Sequence, residues 1–310
     1  MKVSIIIPVY FNENNLCPLY NDIKEKFIDV IKYKYEIVMI DDGSKDKSYE
    51  VMKSIASSDP NVKIISLSKN FGSHAAILCG LAKCTGDCAI IKAADLQEPT
   101  EMLFEMIDSW KMGNNVVLAV RTDRDEKFSK SFFADLYYQI TKKIALPNMP
   151  NKGFDIYLVD RKVINVLTNL NEKNSALTGQ VLWSGFKTGI VYYKRLERKI
   201  GQSKWTLKKK LKLFMDTIYS FTTLPISLVI FIGIISIFVG IIWSIVLVIM
   251  KLNGDIAISG WTSLFIFNIL AFGIIMLTLG ILGEYLWRTF DASRNRPPYI
   301  IEESNIDSED

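Results

Sequence analysis

The chain has 310 residues, of which 49% are hydrophobic, and its 37 Lys or Arg against 33 Asp or Glu give a formal net charge of +4. This length suits one sizeable domain with a smaller appendage, and so small a net charge does not indicate nucleic-acid binding. With one histidine and no CxxC pair among four cysteines, the sequence also lacks the usual pattern of a structural zinc site or a Ser-His-Asp hydrolase.

The N-terminal part of the chain alternates short apolar runs with helical patterns. Strands are predicted at Val3–Val9, Glu36–Asp41, Val62–Ser68, Cys88–Lys92 and Val116–Val120. Helices are predicted between them, at Asn12–Ile31, Lys45–Ser57, Ser73–Lys83 and Thr100–Lys111. Because the strands are almost continuously apolar, this alternation predicts an α/β fold, with a mostly parallel sheet that helices cover on both faces.

Polar clusters follow four of these predicted strands. They are Asn12-Glu13, Asp41-Asp42-Gly43-Ser44, Asp95-Leu96-Gln97 and Arg121. Ligands of open α/β sheets bind beyond the carboxyl ends of the strands, so these clusters predict where the functional site lies. No GxGxxG or Walker sequence follows a strand, which argues against a dinucleotide cofactor. A site rich in carboxylates that accepts a diphosphate instead needs a divalent cation between the two.

The next segment of the chain is less regular. We predict a helix at Lys127–Ile144, a loop through Pro147–Gly153, a second helix near Lys162–Leu170 and apolar strands around Gln180–Val191.

Two long uncharged runs mark the last third of the chain. No charged residue occurs from Thr217 to Met250 or from Ile256 to Gly283, and each run exceeds the roughly 20 apolar residues that span a bilayer core. The short connection Lys251–Asp255 predicts a hairpin whose outer ends lie on one side. Those ends carry basic residues, so the positive-inside rule places them, and both termini, in the cytoplasm.

The residues around this hairpin complete the predicted domain organisation. In Trp205–Tyr219, apolar residues recur at helical spacing and lysines fall on the opposite face. This pattern indicates an amphipathic helix in the head-group plane or, alternatively, a helix packed on the soluble domain. The acidic tail Glu302–Asp310 is predicted to be disordered. The resulting boundaries are a cytoplasmic domain at 1–203, an interfacial helix at 204–222, a transmembrane hairpin at 223–288 (spans near 224–250 and 257–284) and a cytoplasmic tail at 289–310.

A series of short motifs occurs in order along the chain. They run from Ile7 through Glu13, then Asp41-Asp42-Gly43-Ser44, Lys69-Asn70-Phe71-Gly72, Ala94-Asp95-Leu96-Gln97-Glu98-Pro99, Gly153-Phe154-Asp155, Asp160-Arg161, Arg198 through Trp205, Gly283-Glu284-Tyr285-Leu286 and Arg296-Pro297-Pro298-Tyr299. With these motifs the chain resembles family-2 glycosyltransferases of the GT-A fold, specifically the polyprenyl-phosphate branch that includes dolichol-phosphate mannose synthases and bactoprenol glucosyltransferases. The resemblance covers nearly the whole chain.

The resemblance implies a role for particular residues. The nucleotide-sugar pocket would comprise Pro8, Glu13, Asp41, Asp42, Lys69 and Asp95. Asp95 and Gln97 would hold Mg²⁺ or Mn²⁺ against the donor diphosphate. Asp155 would join Asp95 as a catalytic residue, orienting the acceptor or acting as a weak base. The acceptor phosphate would meet Arg121, Arg124, Arg198 and Lys204.

The resemblance also implies the reaction and the partners. An inverting enzyme would move one hexose from a nucleotide sugar to polyprenyl phosphate at the bacterial cytoplasmic membrane, as a monomer or a homo-oligomer and without nucleic acid. UDP-glucose is the first candidate donor, followed by UDP-N-acetylglucosamine and GDP-mannose.

One departure from the family pattern leaves alternatives open. Many relatives have Asp-x-Asp where this chain has Ala93-Ala94-Asp95, so the cation loses one protein ligand. Either Asp95, Gln97, phosphates and water suffice, or the chain is a catalytically silent, membrane-anchored binder of sugar nucleotides. A processive polysaccharide synthase is a further alternative. Such enzymes usually have more membrane spans and a QxxRW sequence, whereas Gln180-Val181-Leu182-Trp183 lacks the arginine.

Overall fold

The computed structural model describes residues 1–122, 138–170, 172, 175–196, 207–253 and 260–306. The chain forms two units, one of Met1–Thr217 with Arg296–Asp310 and the other of Ile218–Asn295. The described strands all lie in the first unit. They are β1 (Lys2–Val9), β2 (Lys34–Asp41), β3 (Val62–Leu67), β4 (Cys88–Ile91), β5 (Val116–Arg121), β6 (Ile156–Asp160), β7 (Thr188–Tyr193) and β8 (Ile301–Ser304).

These eight strands form one mixed sheet in the order β7-β5-β6-β4-β1-β2-β3-β8. β1 pairs in parallel with β2 and β4, β2 with β3, and β5 with β7. β6 runs antiparallel to both β4 and β5, and β8 runs antiparallel to β3. The carboxyl ends of β1 to β5 and of β7 therefore share one edge of the sheet. The amino end of β6 lies at that same edge.

The described helices before residue 222 lie between these strands and after β7, and the last of them continues past Thr217 into the second unit. They are α1 (Glu13–Ile23), α2 (Ser48–Ser58), α3 (Ser73–Lys83), α4 (Met102–Lys111), α5 (138–144), α6 (Arg161–Asn169), α7 (Leu177–Trp183) and α8 (Leu207–Phe221). A π-helical turn over Lys24–Ile28 extends α1.

Alternate residues of β1 face opposite sides of the sheet, as strand geometry requires. Ile5 and Ile7 are fully buried with α1 residue Leu16 in the main hydrophobic cluster. Ile6 instead faces α3, where a Cβ on Gly80 would lie 2.5 Å from the Ile6 Cγ2 atom. The prediction of a sheet covered by helices on both faces is confirmed.

The amino ends of the strands are held together by one buried carboxylate. Glu36 accepts hydrogen bonds from the Ser4 hydroxyl at 2.6 Å and the Lys2 ammonium at 2.8 Å, and Lys63 lies 2.9 Å away. The Thr85 amide, just before β4, donates to it at 2.5 Å. Burial alone would raise the pKa of Glu36, but these donors lower it to about 2. This network ties β1 to β4 together at the edge opposite the predicted site.

The second unit contains α9 (Leu224–Leu252) and α10 (Trp261–Ser293). Both helices are long and apolar enough to cross a membrane, over Leu224–Trp243 and Leu270–Ser293, and no residue in these segments is buried. Large apolar side chains such as Phe231 and Leu270 are exposed along these helices. Such a surface suits lipid better than water.

Three sequence predictions need correction. The strands expected around Gln180–Val191 are partly wrong, because Leu177 and Val181 have helical spacing and are buried on one side of α7; only β7 is a strand there. β6 was not predicted. The tail predicted to be disordered contains β8, because the edge strand β3 supplies it with backbone partners and Asn305 donates to the Val62 carbonyl at 3.1 Å.

Some predictions lie partly outside the described residues. Of the helix predicted at Lys127–Ile144, the described part is 138–144, which is helical. The amphipathic segment is helical from Leu207 onward, whereas Trp205 lies outside. The last tail residues, 307–310, also lie outside.

Candidate active site

The loop after β2 is organised by its two aspartates. Asp41 is buried, and its carboxylate accepts a hydrogen bond from the Ser44 amide at 3.2 Å, closing the turn. Burial raises the pKa of Asp41. Asp42 accepts from the amides of Phe71 at 2.7 Å and Gly72 at 2.9 Å, and so holds the start of α3 beside the end of β2.

This aspartate turn packs closely on the loop after β3. Gly43 has φ +68°, and a Cβ on it would lie 2.5 Å from the Lys69 carbonyl carbon. The Lys69 side chain is exposed, with its ammonium 5.1 Å from the centre of the Phe71 ring. Glu13, at the start of α1, accepts from the Lys47 amide at 2.9 Å. Pro8 lies at the same end of β1, opposite Ile40.

The residues predicted to bind the nucleotide lie at the ends of four neighbouring strands, with Asp95 in the loop after β4 and the others at or after the ends of β1, β2 and β3. Asp42 was predicted to belong to the nucleotide-sugar pocket, and its carboxylate also accepts hydrogen bonds from loop 70–72. Asp42 therefore stabilises the arrangement of the loops after β2 and β3.

The loop after β4 carries both predicted metal ligands. The Gln97 backbone nitrogen lies 3.4 Å from an Asp95 carboxylate oxygen. Leu96 between them has φ +57°, a left-handed backbone conformation that few residues of its type adopt. Segment 195–196, after β7, packs on this loop. The Leu196 amide donates to the Gln97 carbonyl at 2.8 Å, and the Arg195 guanidinium donates to the Gln97 side-chain oxygen.

Two buried ionisable residues, Lys92 and Glu98, lie on either side of the loop after β4 in sequence. The Lys92 ammonium donates to the Glu98 carbonyl at 2.9 Å, and burial lowers the pKa of Lys92. The Glu98 carboxyl is also buried, and its Oε2 atom has no hydrogen-bond partner in the described part of the chain. Burial, then the neighbouring Asp95 carboxylate, raises the pKa of Glu98 to about 7.

These residues fit a hard divalent cation. Asp95 and Gln97 offer a carboxylate and an amide oxygen, which are ligand types that Mg²⁺ and Mn²⁺ accept. Within the described ranges no group of three or more His, Cys, Asp or Glu could hold a metal ion by itself. The remaining ligands would have to come from phosphate oxygens and water.

An ion pair lies at the ends of β5 and β6. Arg121 ends β5 and pairs with Asp155, and its Nε atom donates to the Tyr193 hydroxyl at 3.2 Å. Asp155 reaches this edge because β6 is antiparallel to its neighbours. Burial opposes the charge on Arg121, but Asp155 raises the pKa of the guanidinium. Burial lowers the pKa of His74, and the negative charge of Asp155 partly offsets this decrease.

The structure thus brings Asp95, Gln97, Arg121 and Asp155 to one edge of the sheet. The other three residues predicted to bind the acceptor phosphate, Arg124, Arg198 and Lys204, lie outside the described residues. Sequence reasoning missed Glu98, Tyr193 and Arg195. The register that pairs Arg121 with Tyr193 across β5 and β7 is a long-range feature, and Arg195 is one of many basic residues in its segment.

Comparison with known proteins agrees with this architecture. Residues 4–168 match the glycosyl transferase family 2 model. The chain is 40% identical over 305 residues to the uncharacterized glycosyltransferase YkcC of Bacillus subtilis (strain 168), covering 98% of this chain and 94% of the relative. It is 35% identical over 303 residues to the prophage bactoprenol glucosyl transferase homolog of Escherichia coli (strain K12), covering 97% and 99%.

A solved structure shares the fold. Glucosyl-3-phosphoglycerate synthase from Mycobacterium tuberculosis, in complex with Mn²⁺, UDP and phosphoglyceric acid, aligns with a TM-score of 0.50 and 13% identity over 70% of this chain and 76% of that one. The fold is accordingly of the GT-A type. The chain belongs to glycosyl transferase family 2, and it is a glycosyltransferase related over its full length to bactoprenol glucosyl transferases.

Proposed function

We propose that this glycosyltransferase moves one hexose from a nucleotide sugar to a polyprenyl phosphate, with inversion at the anomeric carbon. The observation that carries the proposal is the order of groups along one sheet edge. The loops with Asp42 and Lys69 come first, the Asp95–Gln97 loop is central, and the Arg121–Asp155 pair follows. The 35% identity to a bactoprenol glucosyl transferase homolog supports a lipid phosphate as acceptor.

The reaction is a single in-line displacement. A lipid phosphate oxygen bonds to the anomeric carbon while the bond from that carbon to the diphosphate oxygen breaks, and the electron pair leaves with the nucleoside diphosphate. The attacking phosphate is already anionic near neutral pH, so no proton must be removed. Most of the acceleration then comes from positioning and electrostatics.

The chain's own residues divide this work. Asp95 and Gln97 would hold the cation, whose charge stabilises the departing diphosphate when it is bound. Arg121 offers a planar guanidinium suited to the acceptor phosphate. Asp155 holds that guanidinium in place and can orient the acceptor.

The chain's connectivity supports a membrane location. The segment before the helix pair and the segment after it, from Arg296 onward, both belong to the first unit. If α9 and α10 cross a bilayer, the short connection between them puts both of their outer ends on one side. Basic residues at those ends favour the cytoplasmic face of the bacterial membrane. The catalytic unit would then meet a carrier phosphate at the surface.

A catalytically silent binder of sugar nucleotides is the second candidate. It is favoured by Ala93 at the position of an expected acid and by the contact of Arg195 with a predicted cation ligand. Turnover separates the two functions, because a silent binder takes up the nucleotide without forming a glycolipid.

The test is transfer from radiolabelled donors to a short polyprenyl phosphate by the purified chain in detergent with Mn²⁺. UDP-glucose, UDP-N-acetylglucosamine and GDP-mannose form the panel, in that order of expectation. Asp95→Asn should abolish transfer, whereas Asp108→Asn, an exposed carboxylate on α4, should leave it within about twofold. Equal transfer by Asp95→Asn and wild type would reject the assigned cation site.

A further inference from the structure

Segment 195–196 contacts the predicted cation site through three hydrogen bonds, all to Gln97. Two are backbone-based: the Leu196 amide donates to the Gln97 carbonyl at 2.8 Å, and the Gln97 side-chain amide donates to the Leu196 carbonyl at 3.3 Å. The third joins an Arg195 Nη2 donor to the Gln97 Oε1 atom. That oxygen is the only side-chain atom of Gln97 that can coordinate a cation.

The Arg195 guanidinium is incompletely satisfied in this position. Its Nε–H group is buried and has no hydrogen-bond partner among the described residues. Glu98, whose charge acts on Arg195, also has a buried oxygen without a partner there. A buried donor without a partner is unfavourable, so a ligand that offers several acceptor oxygens would improve this arrangement.

A divalent cation and a guanidinium compete for the Gln97 oxygen. Both are positively charged, and each needs the same atom as an electron donor, so close occupancy by both is strongly repulsive. A donor diphosphate resolves this conflict. Its oxygens coordinate the cation and also accept from a guanidinium, whose planar fork matches phosphate geometry.

We propose that Arg195 occupies the cation-binding oxygen of Gln97 while the site holds no donor, and moves to the donor diphosphate when cation and nucleotide bind together. This inference rests on the proposed function for the identity of the donor site. Arg195 therefore disfavours binding of the cation alone and favours binding of the cation with nucleotide. The role explains how two protein ligands suffice: the site forms fully only around a diphosphate.

The test measures binding to the full-length chain and needs no turnover. Mn²⁺ affinity without nucleotide is read from the electron paramagnetic resonance of free Mn²⁺, and UDP affinity at saturating Mn²⁺ from calorimetry. Arg195→Gln should bind Mn²⁺ alone more tightly than wild type. It should bind UDP about ten- to a hundredfold more weakly, the range expected for a lost charge-assisted contact. Lys194→Gln, an exposed neighbour with the same charge change, should alter neither affinity by more than about twofold.

These opposite signs distinguish the inference from a merely structural role. Disruption of the loop by Arg195→Gln would weaken both affinities, and a simple phosphate contact would leave Mn²⁺ binding unchanged; either result overturns the proposal. If Arg195→Gln does not fold, Arg195→Lys replaces it. Both the loss of UDP affinity and the gain of Mn²⁺ affinity should then be smaller, because lysine keeps the positive charge but lacks the planar fork. If Arg195→Gln strengthens Mn²⁺ binding and weakens UDP binding, but the wild type transfers no sugar, this inference holds and the proposed acceptor reaction is rejected. A wild type that binds neither ligand would overturn both.

Discussion

Glu36→Gln tests whether the carboxylate at the amino ends of the strands stabilises the catalytic unit. Hydrogen bonds and lysine charges lower the pKa of Glu36 from 4.5 to about 2. At about 1.36 kcal/mol per pKa unit, this carboxylate contributes about 3 kcal/mol at neutral pH. For a unit of this size, such a loss lowers the melting temperature by roughly 6–12 °C.

The pH dependence of this effect has a definite sign. Because the folded-state pKa lies below the unfolded value of 4.5, the stabilisation is fully present above pH 4.5 and disappears as the pH falls through about 2. The difference in melting temperature between wild type and Glu36→Gln should therefore narrow between pH 5 and pH 3. Thermal melts of the full-length chain in detergent, monitored by circular dichroism, measure it.

A matched control is available on β8, the outermost strand of the same sheet. Glu303 pairs with Lys53 at 2.8 Å, but both side chains are more than half exposed. Glu303→Gln should therefore shift the melting temperature by less than about 2 °C. Glu36→Gln should leave Mn²⁺ and UDP affinity unchanged, since it lies at the edge opposite the site. If Glu36→Gln melts at the wild-type temperature at pH 7, or if the difference does not change with pH, Glu36 does not stabilise the unit through its charge.

Two further predictions concern the acceptor and the membrane. Arg121→Gln removes the guanidinium proposed to contact the acceptor phosphate, which pairs with Asp155. The acceptor KM should rise about ten- to a hundredfold while the donor Kd hardly changes. A loss of donor affinity with an unchanged acceptor KM would instead place Arg121 at the nucleotide. In a Cys17→Ser background, which removes the exposed native thiol, a cysteine at Asn253 should react with an impermeant reagent from outside intact cells and one at Ser308 should not. The reverse pattern would invert the proposed topology.

The strands and helices before residue 122 could be predicted because each is an uninterrupted local pattern. β1 and β2 are apolar runs that end in polar clusters, and the parallel sheet then places Asp41 and Asp95 at one edge without further information. β6 and β8 could not be predicted in this way. Both are short, and their positions depend on antiparallel partners distant in sequence, which local patterns do not encode.

The same distinction applies to the site. Arg121 ends a strand, and Asp95 and Gln97 lie in the loop after one, so sequence alone indicates their edge. Arg195 contacts Gln97 from 98 residues away, and only the parallel pairing of β5 with β7 brings it there. Asp42 was predicted as a nucleotide ligand from its place after β2. It also accepts hydrogen bonds from the amides of Phe71 and Gly72 in the loop after β3, and the sequence did not predict these contacts.

The most direct test of the account is the product of a single reaction. The purified chain is incubated with UDP-glucose, Mn²⁺ and a short polyprenyl phosphate, and the lipid is analysed by mass spectrometry while released UDP is counted. We expect a lipid heavier by one hexose, formed in equal amount to UDP and abolished by EDTA or by Asp95→Asn. Lipid carrying several sugars, or no glycolipid from any donor of the panel although UDP binds, would contradict it.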